Sequence, residues 1–146
     1  MQGVIPAKYR VVIAEDNAQI RELLKQQLAE LGHEVVAEAR DGVEVVGIVA
    51  EERPNVAVID WGLPGQDGLA ASSAIRDQSP VPVVLLSAYV SSGDPEAMAR
   101  RAGAHAFLAK PYLIEELDEA LEQAVERYER SQPNVRFPVG TDMKQT

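Results

Sequence analysis

Five short apolar runs, each followed by a stretch with helical periodicity, constrain the fold of this chain more than any other feature. The runs cover residues 9–14, 34–39, 56–59, 81–86 and 105–109. Short apolar runs of this kind are typical of parallel strands that are covered on both faces. Their strict alternation with helices predicts an α/β fold with a parallel sheet and right-handed crossovers. One of the two common doubly wound strand orders is 2-1-3-4-5.

Helix boundaries follow from caps and breakers. Asp16 or Asn17 is expected to cap the first helix, and Asp67 the third. The second helix is expected to follow the turn at Asp41-Gly42, and the fourth is expected to start at Asp94-Pro95, with the proline at its first position. Gly32 is expected to end the first helix in a left-handed conformation. The predicted inner faces are Ile20, Leu23, Leu24, Leu28 and Leu31 on the first helix; Val43, Val46, Val49 and Ala50 on the second; and Leu113, Leu117, Leu121, Ala124 and Tyr128 on the last.

Composition narrows the class of protein. A chain of 146 residues suits one domain, and its net charge of −9 would repel nucleic-acid backbones, so we expect no direct nucleic-acid binding. The chain lacks cysteine, which excludes disulfides and thiolate sites and suits a reducing compartment. It has no apolar run of membrane-spanning length and no signal peptide pattern, so we expect a cytoplasmic protein without a membrane partner.

Polar side chains follow four of the five runs at the point where each run ends. They are Glu15, Asp16, Asp60, Ser87 and Lys110. In a sheet of order 2-1-3-4-5, the three carboxylates converge in one crevice and need a cation. Hard oxygen ligands favour Mg²⁺, with Mn²⁺ as the alternative. A lysine and a serine opposite them suggest a phosphoryl clamp, and a carboxylate can itself accept a phosphoryl group. The competing interpretation is that these residues only cap turns.

Four motifs in order carry a family resemblance: residues 11–17, 58–68, 86–88 and 103–111. The chain resembles the receiver domain of bacterial two-component response regulators, with the layout of the single-domain chemotaxis type. The resemblance implies a flavodoxin-like, doubly wound fold over residues 9–130, with strand order 2-1-3-4-5 and five helices. Residues 131–146 are then expected to be a flexible tail or a linker stub.

The resemblance also implies roles for single residues. Asp60 matches the phosphoacceptor, and Glu15, Asp16, Asp60 and the Gly62 backbone match the Mg²⁺ ligands. Ser87 and Lys110 match the hydroxyl and the ammonium that contact the phosphoryl group, and the Lys110–Pro111 bond is expected to be cis. Phe107 matches the switch aromatic, although a plain core aromatic is the alternative interpretation.

A receiver would take its phosphoryl group from a sensor histidine kinase or a histidine phosphotransfer protein. It would then change the surface formed by the fourth helix, fifth strand and fifth helix, as a monomer or a phosphorylation-dependent dimer. It would assist its own phosphorylation but would not be an enzyme with turnover. Gly62 offers no side chain to orient water and Tyr89 is bulky, so we expect slow autodephosphorylation.

The sequence leaves the extent of the parent protein open and disfavours three other functional classes. The chain is either a stand-alone regulator or a receiver fragment of a larger DNA- or RNA-binding regulator. A hydrolase resembling the haloacid dehalogenases uses the same chemical parts, but its nucleophile follows the first strand in a D-x-D pattern that Asp60 lacks. A nucleotide-binding module or a serine hydrolase is disfavoured because no glycine-rich phosphate loop and no G-x-S-x-G motif is present.

Overall fold

The computed structural model describes residues 8–88 and 93–132, which form a parallel sheet with helices on both faces. The expectations for Tyr89 and for the tail from residue 133 onward lie outside these ranges, as do residues 1–7. In chain order the elements are β1 Arg10–Ala14, α1 Ala18–Glu30, β2 Glu34–Ala39, α2 Gly42–Glu52, β3 Val56–Asp60, α3 Gly68–Gln78, β4 Val83–Ser87, α4 Pro95–Arg101, β5 Ala106–Ala109 and α5 Ile114–Arg130.

The strand order is β2-β1-β3-β4-β5, and every pair of neighbours is parallel. This confirms the predicted α/β fold with order 2-1-3-4-5. The central strands are buried on both faces because helices cover each side, whereas β2 lies at an edge and stays partly exposed. The two halves of the sheet wind in opposite directions from β1 and β3, and this places a crevice at their carboxyl ends.

Two hydrophobic cores flank the sheet. Alternate residues of each strand point to opposite faces, so Ile59 packs in one core and Val58 in the other. The first core joins the sheet to α2, α3 and α4 through residues such as Val49 and Ile75. The second joins it to α1 and α5 through residues such as Leu28 and Leu121. The cores fix the helices, so the loops at the carboxyl edge start from rigid supports.

The predicted inner faces of three helices need correction. Val43 is 66% exposed and Ala50 is also exposed, while Val45 and Val49 are buried. The valines at positions 43, 45, 46 and 49 are compatible with more than one apolar face of the helix. Packing against the sheet selects the face that is buried. Ile20 and Leu23 of α1 are 43% and 53% exposed, and Leu113 precedes α5 as an exposed residue.

Four helices have a side-chain cap at their N-terminus. Asn17, Asp41, Asp67 and Asp94 each accept a hydrogen bond from a backbone N–H three residues later. Of the two candidates for α1, Asn17 is the cap, so the Asp16 carboxylate stays exposed. Gly32 adopts a φ of +92° after α1, as predicted. In the described part of the chain, no helix is both long and apolar enough to cross a bilayer.

Ser72→Ala is expected to raise the free energy of unfolding by about 0.5–1 kcal/mol. Ser72 lies on the buried face of α3, and its hydroxyl has no hydrogen-bond partner among the described residues. Alanine removes the unpaired hydroxyl and favours the helix. Urea unfolding measures the change, with Ser73→Ala as the control, because the Ser73 hydroxyl donates to the Ala102 carbonyl at 3.2 Å. A loss of stability in Ser72→Ala that equals the loss in Ser73→Ala would contradict this account.

Candidate functional site

A cleft of about 510 Å³ opens at the carboxyl edge of the sheet, above the ends of β1, β3 and β4. Its wall contains all the sequence-predicted site residues except Phe107. The lining residues are Glu15, Asp16, Asn17, Ile20, Asp60, Trp61, Gly62, Ser87, Ala88 and Lys110. The fold therefore brings together residues from four separate strand ends.

The three acidic side chains form a compact group. Glu15, Asp16 and Asp60 each offer one carboxylate oxygen, and these oxygens lie within 4.8 Å of one another. Glu15 is buried, Asp60 is partly buried and Asp16 is exposed, so the group opens to solvent on one side. Backbone N–H groups hold two of the carboxylates: Asn17 donates to Glu15 at 3.0 Å, and Gly62 donates to Asp60 at 3.2 Å.

Lys110 is the cation of the cleft. Its Nζ lies 3.0 Å from Asp60 Oδ1 and 3.5 Å from Glu15 Oε1. The Lys110–Pro111 peptide bond is cis, as predicted, and it follows directly after β5. The two Asp60 oxygens therefore have different partners, since Oδ1 accepts from Lys110 and Oδ2 accepts from Gly62.

The electrostatics of the cleft leave an excess of negative charge. Burial raises the pKa of Glu15, and the neighbouring Asp60 charge raises it further. Burial by itself lowers the pKa of Lys110, but its hydrogen bond to Asp60 and the charges of Asp60 and Glu15 outweigh burial, so that pKa is raised. One ammonium faces three carboxylates. Their oxygens are hard ligands, so the donor set suits Mg²⁺ or Mn²⁺.

Ser87 and Phe107 occupy different places. Ser87 is the last residue of β4 and lies buried in the wall of the cleft. Phe107 is partly buried on β5 and packs against the first core, with its ring centroid 5.9 Å from that of Trp61. The core-aromatic interpretation of Phe107 therefore describes its present packing. Its role as a switch stays a prediction, as does the autodephosphorylation rate.

Sequence reasoning missed two residues of the site. Arg21 Nη1 donates to the Glu15 carbonyl at 2.8 Å, while its Nε donates to Glu38 at 3.2 Å. Trp61, which lies within the motif at residues 58–68, also lines the cleft. Arg21 lies four positions after the Asn17 cap, so a helical projection could have placed it near the carboxyl end of β1. No local signal indicates which way the Trp61 ring turns.

A family model described as the response regulator receiver domain matches residues 11–122. Transcriptional regulatory protein PdtaR of Mycobacterium tuberculosis is 43% identical over 119 residues, which cover 82% of this chain and 58% of PdtaR. A protein-glutamate methylesterase/protein-glutamine glutaminase of Haloarcula marismortui is 39% identical over 103 residues, covering 70% of this chain and 28% of that protein. This chain therefore spans less than two thirds of the length of either curated relative.

Two solved structures are similar throughout the described fold. The receiver domain of the response regulator NarL of Mycobacterium tuberculosis superposes with a TM-score of 0.76 at 31% identity, covering 83% of this chain and 98% of that one. The response regulator domain of CheB of Thermotoga maritima gives a TM-score of 0.73 at 30% identity, covering 80% and 96%. The likeness thus extends over nearly the whole of both solved domains.

Proposed function

This chain belongs to the response regulator receiver domain family, and from that premise we propose that Asp60 accepts a phosphoryl group. The position of the Asp60 carboxylate carries the proposal. It lies in an open cleft, hydrogen-bonded to an ammonium on one oxygen and to a backbone N–H on the other. Two further carboxylates within reach complete a cation-binding group. Residues 9–130 are the proposed functional unit.

The polar groups of the cleft suit phosphoryl transfer. An Asp60 oxygen would attack the phosphorus of a phosphohistidine, forming a P–O bond. The P–N bond would break, and its electron pair would leave with the imidazole. The Lys110 ammonium already contacts Asp60 and would neutralise charge on the transferring oxygens. The Ser87 hydroxyl would donate a hydrogen bond to the product.

The acidic group fits a divalent cation. The proposed Mg²⁺ ligands are Glu15, Asp16, Asp60 and the Gly62 carbonyl, with Mn²⁺ as the alternative ion. When bound, the ion would offset the carboxylate charges and stabilise charge on the phosphoryl oxygens. Independently of the ion, the Gly62 N–H orients Asp60 and the Asn17 N–H orients Glu15, so both carboxylates are positioned in advance.

The proposed donor is a sensor histidine kinase or a histidine phosphotransfer protein, in the cytoplasm. PdtaR is named as a transcriptional regulatory protein, so this receiver is proposed to control an output of similar type through protein contact. The proposed signalling surface consists of α4, β5 and α5, acting in a monomer or a phosphorylation-dependent dimer.

Asp60 ends the third strand, which favours a receiver over a haloacid-dehalogenase-like hydrolase. We propose no enzymatic turnover.

Intact mass after incubation with acetyl phosphate tests the proposal. We expect a single phosphate adduct on the wild-type chain in the presence of Mg²⁺. We expect no adduct after chelation of the metal and none in Asp60→Asn, which keeps the size of the side chain but removes the nucleophilic charge. Asp67→Asn is the matched control, because Asp67 caps α3 on the same loop and does not line the cleft. An adduct that persists in Asp60→Asn, or its absence from the wild type with every donor, would refute the assignment.

A further inference from the structure

The rings of Trp61 and Phe107 meet between two cavities that share no lining residue. Trp61 lines the site cleft. Phe107 lines a second cavity of about 290 Å³ between α4, β5 and α5, here called the distal cavity. The ring centroids are 5.9 Å apart and the ring planes are inclined by 85°, which is an edge-to-face contact. This contact links the wall of the site cleft to the wall of the distal cavity, on the face of the sheet that carries the first core.

The backbone of Trp61 is held on both sides. Its N–H donates to the Leu86 carbonyl at 2.8 Å, and its carbonyl accepts from the Gly68 N–H at 2.8 Å. Gly68 lies so close that a Cβ there would come within 2.7 Å of the Trp61 Cα. With the backbone held in this way, the indole is the part of Trp61 that responds to a change in the cleft.

Beyond Phe107, the distal cavity reaches two helices. Its lining includes Phe107, Arg100 of α4, Arg127 of α5 and His105. Arg127 Nη1 donates to the His105 carbonyl at 3.1 Å, so α5 is tied to the residue that precedes β5. A movement of the Phe107 ring would therefore alter packing that both helices share.

We propose that Trp61 is a positioning residue that couples the phosphorylation state of Asp60 to the position of the Phe107 ring. This inference rests on the proposed function. Phosphorylation would place a charge of about −1.5 to −2 in the cleft. The indole N–H and the ring edges carry positive partial charge, so they are drawn toward that anion and away from Phe107. Loss of an edge-to-face contact shifts the balance between two ring positions by roughly two- to tenfold.

Backbone amide NMR signals report the coupling. Spectra of isotope-labelled protein are recorded with Mg²⁺, before and after addition of beryllium fluoride, a stable mimic of a phosphoryl group on aspartate. The Gly62 signal reports occupancy of the site, and the signals of Ala106, Phe107 and Arg127 report the distal cavity. In the wild type we expect all four signals to move. In Trp61→Leu, at an occupancy matched by the Gly62 signal, we expect the three distal displacements to be at least twofold smaller.

Trp61→Phe is the conservative variant, because it keeps an aromatic ring at the contact and should restore the distal displacements. Equal distal displacements in Trp61→Leu and the wild type, or failure of Trp61→Phe to restore them, would overturn the inference while leaving phosphorylation of Asp60 intact. An unmoved Gly62 signal and no phosphate adduct in the wild type would overturn the proposed function and this inference together. If Trp61→Leu does not fold, Phe107→Leu removes the same contact from β5, and the same loss at Ala106 and Arg127 is expected.

Discussion

Lys110→Ala is expected to slow phosphorylation of Asp60 by small-molecule donors by about 10²- to 10³-fold. The Lys110 ammonium is within 3.0 Å of Asp60 and 3.5 Å of Glu15. Within the described ranges, no other lysine or arginine side chain forms an ion pair with these two carboxylates. Without it, none of the ion pairs among the described residues brings a cation to the oxygens of the transferring group, and the negative potential of the cleft repels an anionic donor.

A time course of the phosphate adduct by intact mass measures this rate. Lys8→Ala is the matched control, because Lys8 is an exposed lysine that pairs with Asp118 and Glu122 on α5, away from the cleft. The control should phosphorylate at the wild-type rate, and circular dichroism should show that both variants fold. A Lys110→Ala rate within threefold of the control would show that the ammonium orients Asp60 without contributing to the transfer.

Gly42→Ala is expected to lower the free energy of unfolding by about 1–3 kcal/mol. Gly42 is the first residue of α2 and is buried against the loop that follows β3. A Cβ at this position would overlap the carbonyl oxygen and the carbonyl carbon of Gln66, which are backbone atoms. Either α2 or the loop must move, and the loop carries Gly62 and Asp67. The variant should therefore also weaken Mg²⁺ binding, which fluorescence of the single tryptophan, Trp61, can follow.

Gly47→Ala is the control within the same helix. A Cβ at Gly47 would meet no heavy atom within 4 Å, so alanine there should raise the free energy of unfolding by about 0.5–1 kcal/mol through helix propensity alone. Urea unfolding of the two variants should thus give changes of opposite sign. Changes of the same sign would show that the loop yields to Gly42→Ala at little cost, and the proposed rigid contact between α2 and the loop would be wrong.

Much of the fold and of the site was predictable from neighbouring residues. The Asp and Asn caps bond to backbone groups three positions later, so they depend on residues close in the chain. The alternation of apolar runs with helical stretches predicted the α/β class, and the residue types at the strand ends predicted an acidic group beside a lysine. Parallel strands end at one edge of the sheet. The three carboxylates, the hydroxyl and the ammonium therefore converge once their strands are neighbours.

Packing alone decided the remaining features. The alternation of strands and helices does not distinguish between the two common doubly wound strand orders, since both satisfy it. The valine pattern of α2 fits several stripes, and the first core selects Val45 and Val49. Arg21 reaches the Glu15 carbonyl only because α1 packs beside β1.

The contact between Trp61 and Phe107 joins residues that are distant in the chain and lie on opposite sides of β4, so no local pattern predicts it. The order of residues along the chain therefore sets which chemical groups stand at the strand ends. Which of those groups touch depends on the packed fold, because side-chain contacts across a sheet depend on strand order and on the direction each ring takes. Those contacts are what connect the acidic cleft to the surface beyond it.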